Sequence, residues 1–265
     1  MVDTVTTSVM ITSMATTTRS NIGLVDFHAH CLPALDDGAQ DVAESRAMLG
    51  LACKQGVSAV IATPHFYWGH HTMADFVGAR QQAYNSLMLH KKELPPILLG
   101  AEVLLREGLS KQDLRPLCIE GTNILLVELP FIRPPYWLFE ELEEIAYTQK
   151  LTIMLAHLDR YLPWYSTEKL DRLMELPGVI VQINAEMLVD RRDFRVLQKW
   201  LGLPRRLVLG SDMHDPKDRA PMLDRAVHTL SRSRIGHLWL ERIAETTEQI
   251  DRKTLPIKEE DSLAF

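Results

Sequence analysis

A chain of 265 residues with 46% hydrophobic and 24% charged side chains can bury one sizeable core, which excludes a disordered protein. Its 29 basic and 35 acidic residues leave a net charge of -6 with no basic stripe or arm, so nucleic acid is not expected as a partner. The three cysteines, Cys31, Cys53 and Cys118, form no C-x-x-C pair and fit a reducing, cytoplasmic setting, and no run reaches the roughly 18 apolar residues of a membrane span.

Residues 1–22, rich in Thr and Ser with no basic stretch ahead of their apolar positions, read as a flexible leader and not as a secretory signal. From Leu24–Phe27 onward, short Val/Ile/Leu-rich runs alternate with amphipathic segments. The runs continue with Ala59–Ala62, Ile97–Leu99, Ile124–Val127, Thr152–Leu155, Val179–Ile183 and Leu207–Leu209. Seven buried strands are predicted. Helical spacing covers Ala43–Gln55, closed by Gly56, then Asp75–Glu93, Tyr136–Lys150, Ser166–Glu175, Arg191–Leu201, Pro216–Thr229 and His237–Ile250. Such alternation predicts a parallel sheet with right-handed crossovers, open or closed into a barrel. One domain is expected over residues 23–250, followed by a charged, aperiodic tail over 251–265.

The residues ending the seven runs carry the chemistry: "DFHAH", "ATPH", "GAE", "VELP", "AHLDR", "INAE" and "GSDMH". In a parallel α/β fold the carboxyl ends of the strands share one face, so these scattered residues converge there. His28 and His30, two apart on a strand, share a side. By the same parity Asp26 is expected to accept a hydrogen bond from one of their imidazoles. Adding His65, Glu102, Glu128, His157, Asp212 and His214 gives more imidazoles and carboxylates than an acid/base pair needs. Any one of them alone reads as an ordinary hydrogen-bonded residue; their recurrence at successive strand ends points to metal. Nitrogen and oxygen donors without cysteine suit manganese, iron or zinc, and their number implies two or three ions sharing carboxylates. His90, His228 and His237 fall on helical stretches and are not candidates; His70 and His71 are expected at the pocket mouth at most. Arg160 and Arg219 follow strand-end residues on loops over the same face, where guanidinium groups can take phosphate oxygens.

The set "DFHAH", "LDDG", "TPH", "GAE", "VEL", "AHLDRY" and "SDMH", spanning about Gly23 to Ile250, resembles the polymerase and histidinol phosphatase (PHP) superfamily. Within it the resemblance is to the bacterial manganese-dependent protein-tyrosine phosphatases of the CpsB/CapC type. That resemblance implies a distorted (β/α)7 barrel with the metal site at the carboxyl face of the strands. By position it implies one Mn2+ among His28, His30, Glu102 and Asp212, a second held by Glu102, Glu128 and His157, and a third by Asp37, His65 and His214. Asp36 is the alternative to Asp37. Arg160 and Arg219 would hold the phosphate, and Asp212 is a candidate proton donor. The implied reaction is metal-assisted hydrolysis of phosphotyrosine on a protein, with a bacterial tyrosine kinase of capsule or exopolysaccharide synthesis as partner. The alternatives are a small-molecule phosphatase such as a histidinol-phosphate phosphatase, or a non-catalytic metal-binding assembly module. Phe66, where many relatives carry a second histidine, predicts a different pocket entrance, and "AETTEQI" lacks the asparagine-proline common before the last helix.

Overall fold

In the computed structural model, which describes residues 23–89 and 94–254, all seven apolar runs are strands, and two of them are broken near the carboxyl end. The strands are β1 (Leu24–Ala29), β2 (Val57–Ala62), β3 (His65–Phe66), β4 (Ile97–Leu99), β5 (Glu102–Leu104), β6 (Ile124–Glu128), β7 (Thr152–Leu155), β8 (Ile180–Asn184) and β9 (Leu207–Gly210). Pro64, with no N–H to give a ladder, separates β2 from β3, and Gly100-Ala101 separates β4 from β5. All pairing is parallel, in the orders β1-β2-β4 and β3-β5-β6-β7-β8-β9.

The two sheets join at both seams. The Gly100 N–H donates to the Ala62 carbonyl (2.8 Å) and the Glu102 N–H to the Pro64 carbonyl (3.1 Å), carrying the ladder across the breaks. On the other side the Asp212 N–H donates to the His28 carbonyl (2.8 Å) and the His30 N–H to the Met213 carbonyl (3.0 Å), tying β1 to the segment after β9. Seven chain segments thus follow one another round a distorted barrel. Its interior is apolar at the amino-terminal end, filled by Val25, Phe27, Ile61, Leu126, Met154 and Val208, where burying a side chain such as Phe27 contributes about 2–3 kcal/mol. A second, larger apolar layer lies between strands and helices.

Four of the helices begin at capping side chains. Asp41 caps α1 (Val42–Lys54) by accepting from the Glu44 N–H, and Gly56 follows it with φ +83°. Thr72 caps α2 (Met73–Met88), Ser166 caps α4 (Thr167–Met174) and Asp190 caps α5 (Arg191–Leu201). The helix predicted over Tyr136–Lys150 is instead α3 (Leu138–Glu143) running into a π turn at Glu144–Thr148. That over Pro216–Thr229 shrinks to α6 (Leu223–Leu230). The Asp215 carboxylate accepts from the N–H groups of Lys217, Asp218 and Arg219 (2.6, 2.7 and 3.1 Å), which makes that stretch a side-chain-bonded loop. The last helix, α7, spans Arg234–Thr254 and so passes the expected end of the domain. The expected leader lies outside the described residues, as do 90–93 and the tail from 255.

Candidate metal centre

An irregularity in β1 aims the first two histidines. Asp26 pairs with Val60 and Ala29 with Ala62, so three steps on β1 face two on β2. The extra residue shifts the parity after Phe27 and turns His28 and His30 to the side that Val25 and Phe27 occupy lower in the barrel. Asp26 is left on the other side, which corrects the expectation that it meets an imidazole. Its carboxylate accepts from the Ser211 N–H (2.8 Å), the Ser211 hydroxyl (2.6 Å) and the His28 backbone N–H (3.2 Å), fastening β1 to the end of β9.

Burial, offset in part by those bonds, pushes the Asp26 carboxyl from 3.8 up to about 6. The folded chain keeps a proton there that the unfolded chain has lost, so this group's contribution to stability falls as pH rises from about 4 to about 6. Urea unfolding of metal-free wild-type and Asp26→Asn chains tests this. The difference is expected to move against wild type by on the order of 2–3 kcal/mol between about pH 4 and about pH 6.5. A difference independent of pH would contradict it.

Around Glu102 the predicted donors come together. Its Oε2 lies 3.3 Å from His28 Nε2, 3.2 Å from His30 Nε2 and 3.0 Å from His65 Nδ1, and its Oε1 lies 2.7 Å from His157 Nε2. Asp212 Oδ1 stands 3.5 Å from both His28 Nε2 and His30 Nε2, and Glu128 Oε1 stands 3.7 Å from His157 Nε2. Asp37 Oδ1 lies 3.3 Å from His65 Nε2 and 3.3 Å from His214 Nε2. Among the described residues, four sets have donor atoms close enough to share an ion: His28, His30 and Asp212; His28, Glu102 and His157; His65, Glu102 and Glu128; and His30, Asp37, His65 and His214. All nine predicted donors fall in these sets.

Asp36 has a different place from Asp37. Its Oδ2 sits 2.7 Å from His30 Nδ1 and accepts from the His65 N–H (3.0 Å), behind the histidines and not among them. A carboxylate there holds the proton on His30 Nδ1 and turns Nε2 toward the cluster as the nitrogen a cation would take. In the same way the Asp212 carbonyl, which can only accept, lies 2.8 Å from His214 Nδ1. His28 and His30 then face each other with Nε2 atoms 3.1 Å apart, an arrangement that calls for a cation or a proton between them. Glu102 Oε2, His65 Nδ1 and His214 Nε2 are buried and make no hydrogen bond. This donor set fits divalent cations of the manganese, iron or zinc type.

Electrostatics agree. Burial opposes a charge on His30, but Asp36 and Glu102 outweigh it and push its pKa up to about 10. A cation binding there must displace a proton, so affinity rises with pH. Burial and His30 push His214 down to about 4 and keep it neutral. Burial is outweighed at Asp36, which the His30 hydrogen bond holds at about 2. Glu128 is raised by burial and by Glu102. Asp212, despite burial, is held below its ordinary range by His28 and Arg160.

Arg160, in a 3-10 turn over Leu158–Tyr161, and Arg219, on the loop after β9, both reach Asp212. Arg160 Nη2 lies 2.7 Å and Arg219 Nη2 3.4 Å from Asp212 Oδ2, the oxygen turned away from His28 and His30. Both are about two-fifths exposed, and with Asn184, Ser211 and Asp218 they line a narrow cleft beside Asp212. His157 (φ +30°) and Asp212 (φ +53°) occupy the left-handed region without being glycine, a strain of about 1–3 kcal/mol each. Such strain at two residues of one cluster marks a site whose geometry the fold enforces.

Other expectations move. Glu186, the acid counted for the sixth run, is exposed at the cleft rim. That strand instead sends Gln182 and Asn184, both buried, toward the cluster; neutral amides give no signal in a search for donors. Phe66 packs edge-on against Phe76 (5.0 Å between ring centres) in the core, so it does not shape the entrance. His70 and His71 line a cavity of about 520 Å³ with Trp68, Met73 and Gln112, apart from the donor sets.

Comparison with known proteins agrees with this geometry. The tyrosine-protein phosphatase YwqE of Bacillus subtilis (strain 168) is 33% identical over 145 residues, 52% of this chain and 55% of that protein. The chain's match thus spans about half of YwqE. The tyrosine-protein phosphatase CpsB of Streptococcus pneumoniae is 26% identical over 226 residues, 79% of this chain and 90% of that protein. Among solved structures, one from work on Bacillus subtilis YwqE and Streptococcus pneumoniae CpsB, described as metal-dependent tyrosine phosphatases, superimposes with a TM-score of 0.67. It is 25% identical and covers 84% of this chain and 93% of the other. The family model for capsular polysaccharide synthesis, CpsB/CapC, matches residues 24–249, from the first strand of the barrel into its last helix, and the chain belongs to that family.

Proposed function

We propose that this chain hydrolyses phosphotyrosine on a protein, as the names of its relatives state for them. The observation that carries this reading is the convergence of nine donor side chains, Glu102 at their centre, with Arg160 and Arg219 at the outer oxygen of Asp212. His28, His30, Glu102 and Asp212 are assigned to one ion, Glu102, Glu128 and His157 to a second, and Asp37, His65 and His214 to a third, with Mn2+ as the native metal. Bound there, the ions supply charge for the phosphoryl oxygens and a water of lowered pKa.

The chain's own residues do the rest. Arg160 and Arg219 bind the nonbridging oxygens, leaving Asp212 as they do so, and stabilise charge as it develops. Asp212 holds the site together: its Oδ2 accepts from Asn184 (2.9 Å), and as an ionised ligand to an ion it has no proton to give the leaving group. A tyrosine leaving group, with a pKa near 10, needs little protonation. Tyr67 stacks on His65 (5.2 Å, 20°) and Phe131 on His157 (5.7 Å, 24°), giving the cluster two aromatic neighbours that suit an aryl ester. Cys31 and Cys118 are disfavoured as nucleophiles because burial raises the Cys31 thiol and pushes Cys118 up to about 12.

The partner on this reading is a bacterial tyrosine kinase of capsule or exopolysaccharide synthesis, met in the cytoplasm. No helix among the described residues is long and apolar enough to cross a membrane. Steady-state kinetics of the manganese-loaded chain test the substrate class. A phosphotyrosine peptide is expected to exceed histidinol phosphate by about 100-fold in kcat/KM; a preference for histidinol phosphate would reverse the assignment.

A further inference from the structure

β8 contributes no donor to the cluster, yet its inner side carries two buried amides, Gln182 and Asn184. Burying amides is costly unless each bond is satisfied, and these are satisfied in a way that has a direction. Gln182 Oε1 lies 2.6 Å from the His157 backbone nitrogen and 3.1 Å from His28 Nδ1. A backbone N–H can only donate, so the atom facing it is the amide oxygen, and His28 Nδ1 must then carry the proton. Gln182 Nε2 is therefore the donor to Asn184 Oδ1 (2.9 Å), which leaves Asn184 Nδ2 to donate to Asp212 Oδ2 (2.9 Å). Each orientation fixes the next.

Two results follow at the cluster. The lone pair of His28 is placed on Nε2, facing Glu102 and Asp212. Asp212 has its Oδ2 occupied and presents Oδ1 to the histidines. The neighbouring strand makes room for this. A Cβ at Gly210 would lie 2.5 Å from His28 Cβ and 2.7 Å from Gln182 Nε2, so a side chain there would separate ring from amide. The Asn184 N–H, held by Asp159 Oδ1 (3.1 Å), fixes the end of the strand.

We propose that Gln182 and Asn184 are positioning residues: a one-way amide relay, started by the His157 backbone N–H, that selects the ring nitrogen of His28 and the carboxylate oxygen of Asp212 presented to the metal. It rests on the assignment of His28 and Asp212 to an ion and not on which phosphoester is cleaved. The test is a double-mutant cycle on the full chain, reading Mn2+ affinity by electron paramagnetic resonance of free manganese, with urea unfolding as the folding control. Gln182→Met is expected to weaken the tightest Mn2+ by about 10–100-fold, and Asn184→Leu by about tenfold. Because the second amide depends on the first, the double variant is expected to match Gln182→Met within about threefold. Gln182→Glu, which keeps an acceptor for His28, is expected to bind more tightly than Gln182→Met.

Losses that multiply in the double variant would overturn the relay, as would unchanged affinity in folded Gln182→Met. Should Gln182→Met not fold, Asn184→Leu decides, since unchanged Mn2+ affinity there overturns the link to Asp212. Wild-type chain that binds no manganese would overturn the metal assignment itself and the relay with it.

Discussion

Glu102→Gln is expected to lower kcat on a phosphotyrosine peptide by about 1,000-fold or more, a loss of roughly 4 kcal/mol in transition-state stabilisation. Among the described residues no other carboxylate is placed as this one is. Its two oxygens lie within 3.3 Å of ring nitrogens from His28, His30, His65 and His157, which reach it from β1, β3 and the end of β7. Glutamine keeps the shape but removes the charge and directs N–H groups at nitrogens that should offer lone pairs. Manganese counted per chain is expected to fall with the activity, while the far-ultraviolet circular dichroism stays that of wild type. Activity within tenfold of wild type would remove Glu102 from the centre.

Arg160→Ala and Arg219→Ala are expected to lower kcat/KM by about 100- to 1,000-fold each, the range for losing one charged hydrogen-bond donor to a developing oxyanion. Manganese content should remain that of wild type, because each arginine meets Asp212 on the oxygen turned away from the histidines. Arg160→Lys is expected to recover only part of the loss, since an ammonium cannot make the planar, paired contact of a guanidinium. If manganese is lost in proportion to activity, the arginines support the ions and do not grip phosphate.

Much of the barrel and of the donor set was legible in the sequence because both are written in local pattern. Apolar runs bounded by helical spacing marked all seven segments, and a titratable residue behind most of them marked the carboxyl face. What stayed hidden depends on contacts between strands. The parity of two predicted that Asp26 would share a side with His28, but one extra residue opposite β2 put it against Ser211. "LDDG" could not tell Asp36 from Asp37; only the packing of His30 and His65 separates the two. Pro64 and Gly100 broke two strands without ending the ring, because backbone bonds bridge both breaks. Gln182 and Asn184 escaped notice because neutral amides carry no charge signature, and their role follows from which atom of each can donate. The helix expected from Pro216 starts only at Leu223, because the Asp215 carboxylate takes the N–H groups of Lys217, Asp218 and Arg219.

On the proposed reading, these nine donors hold ions without which the chain cannot cleave phosphotyrosine. Hydrolysis of a phosphotyrosine peptide by the full chain, followed before chelation, after complete chelation and after return of Mn2+, tests it most directly. Turnover is expected to fall to background on chelation and to recover on adding manganese, with metal analysis reading two or three ions per active chain. Turnover that survives complete chelation would contradict it.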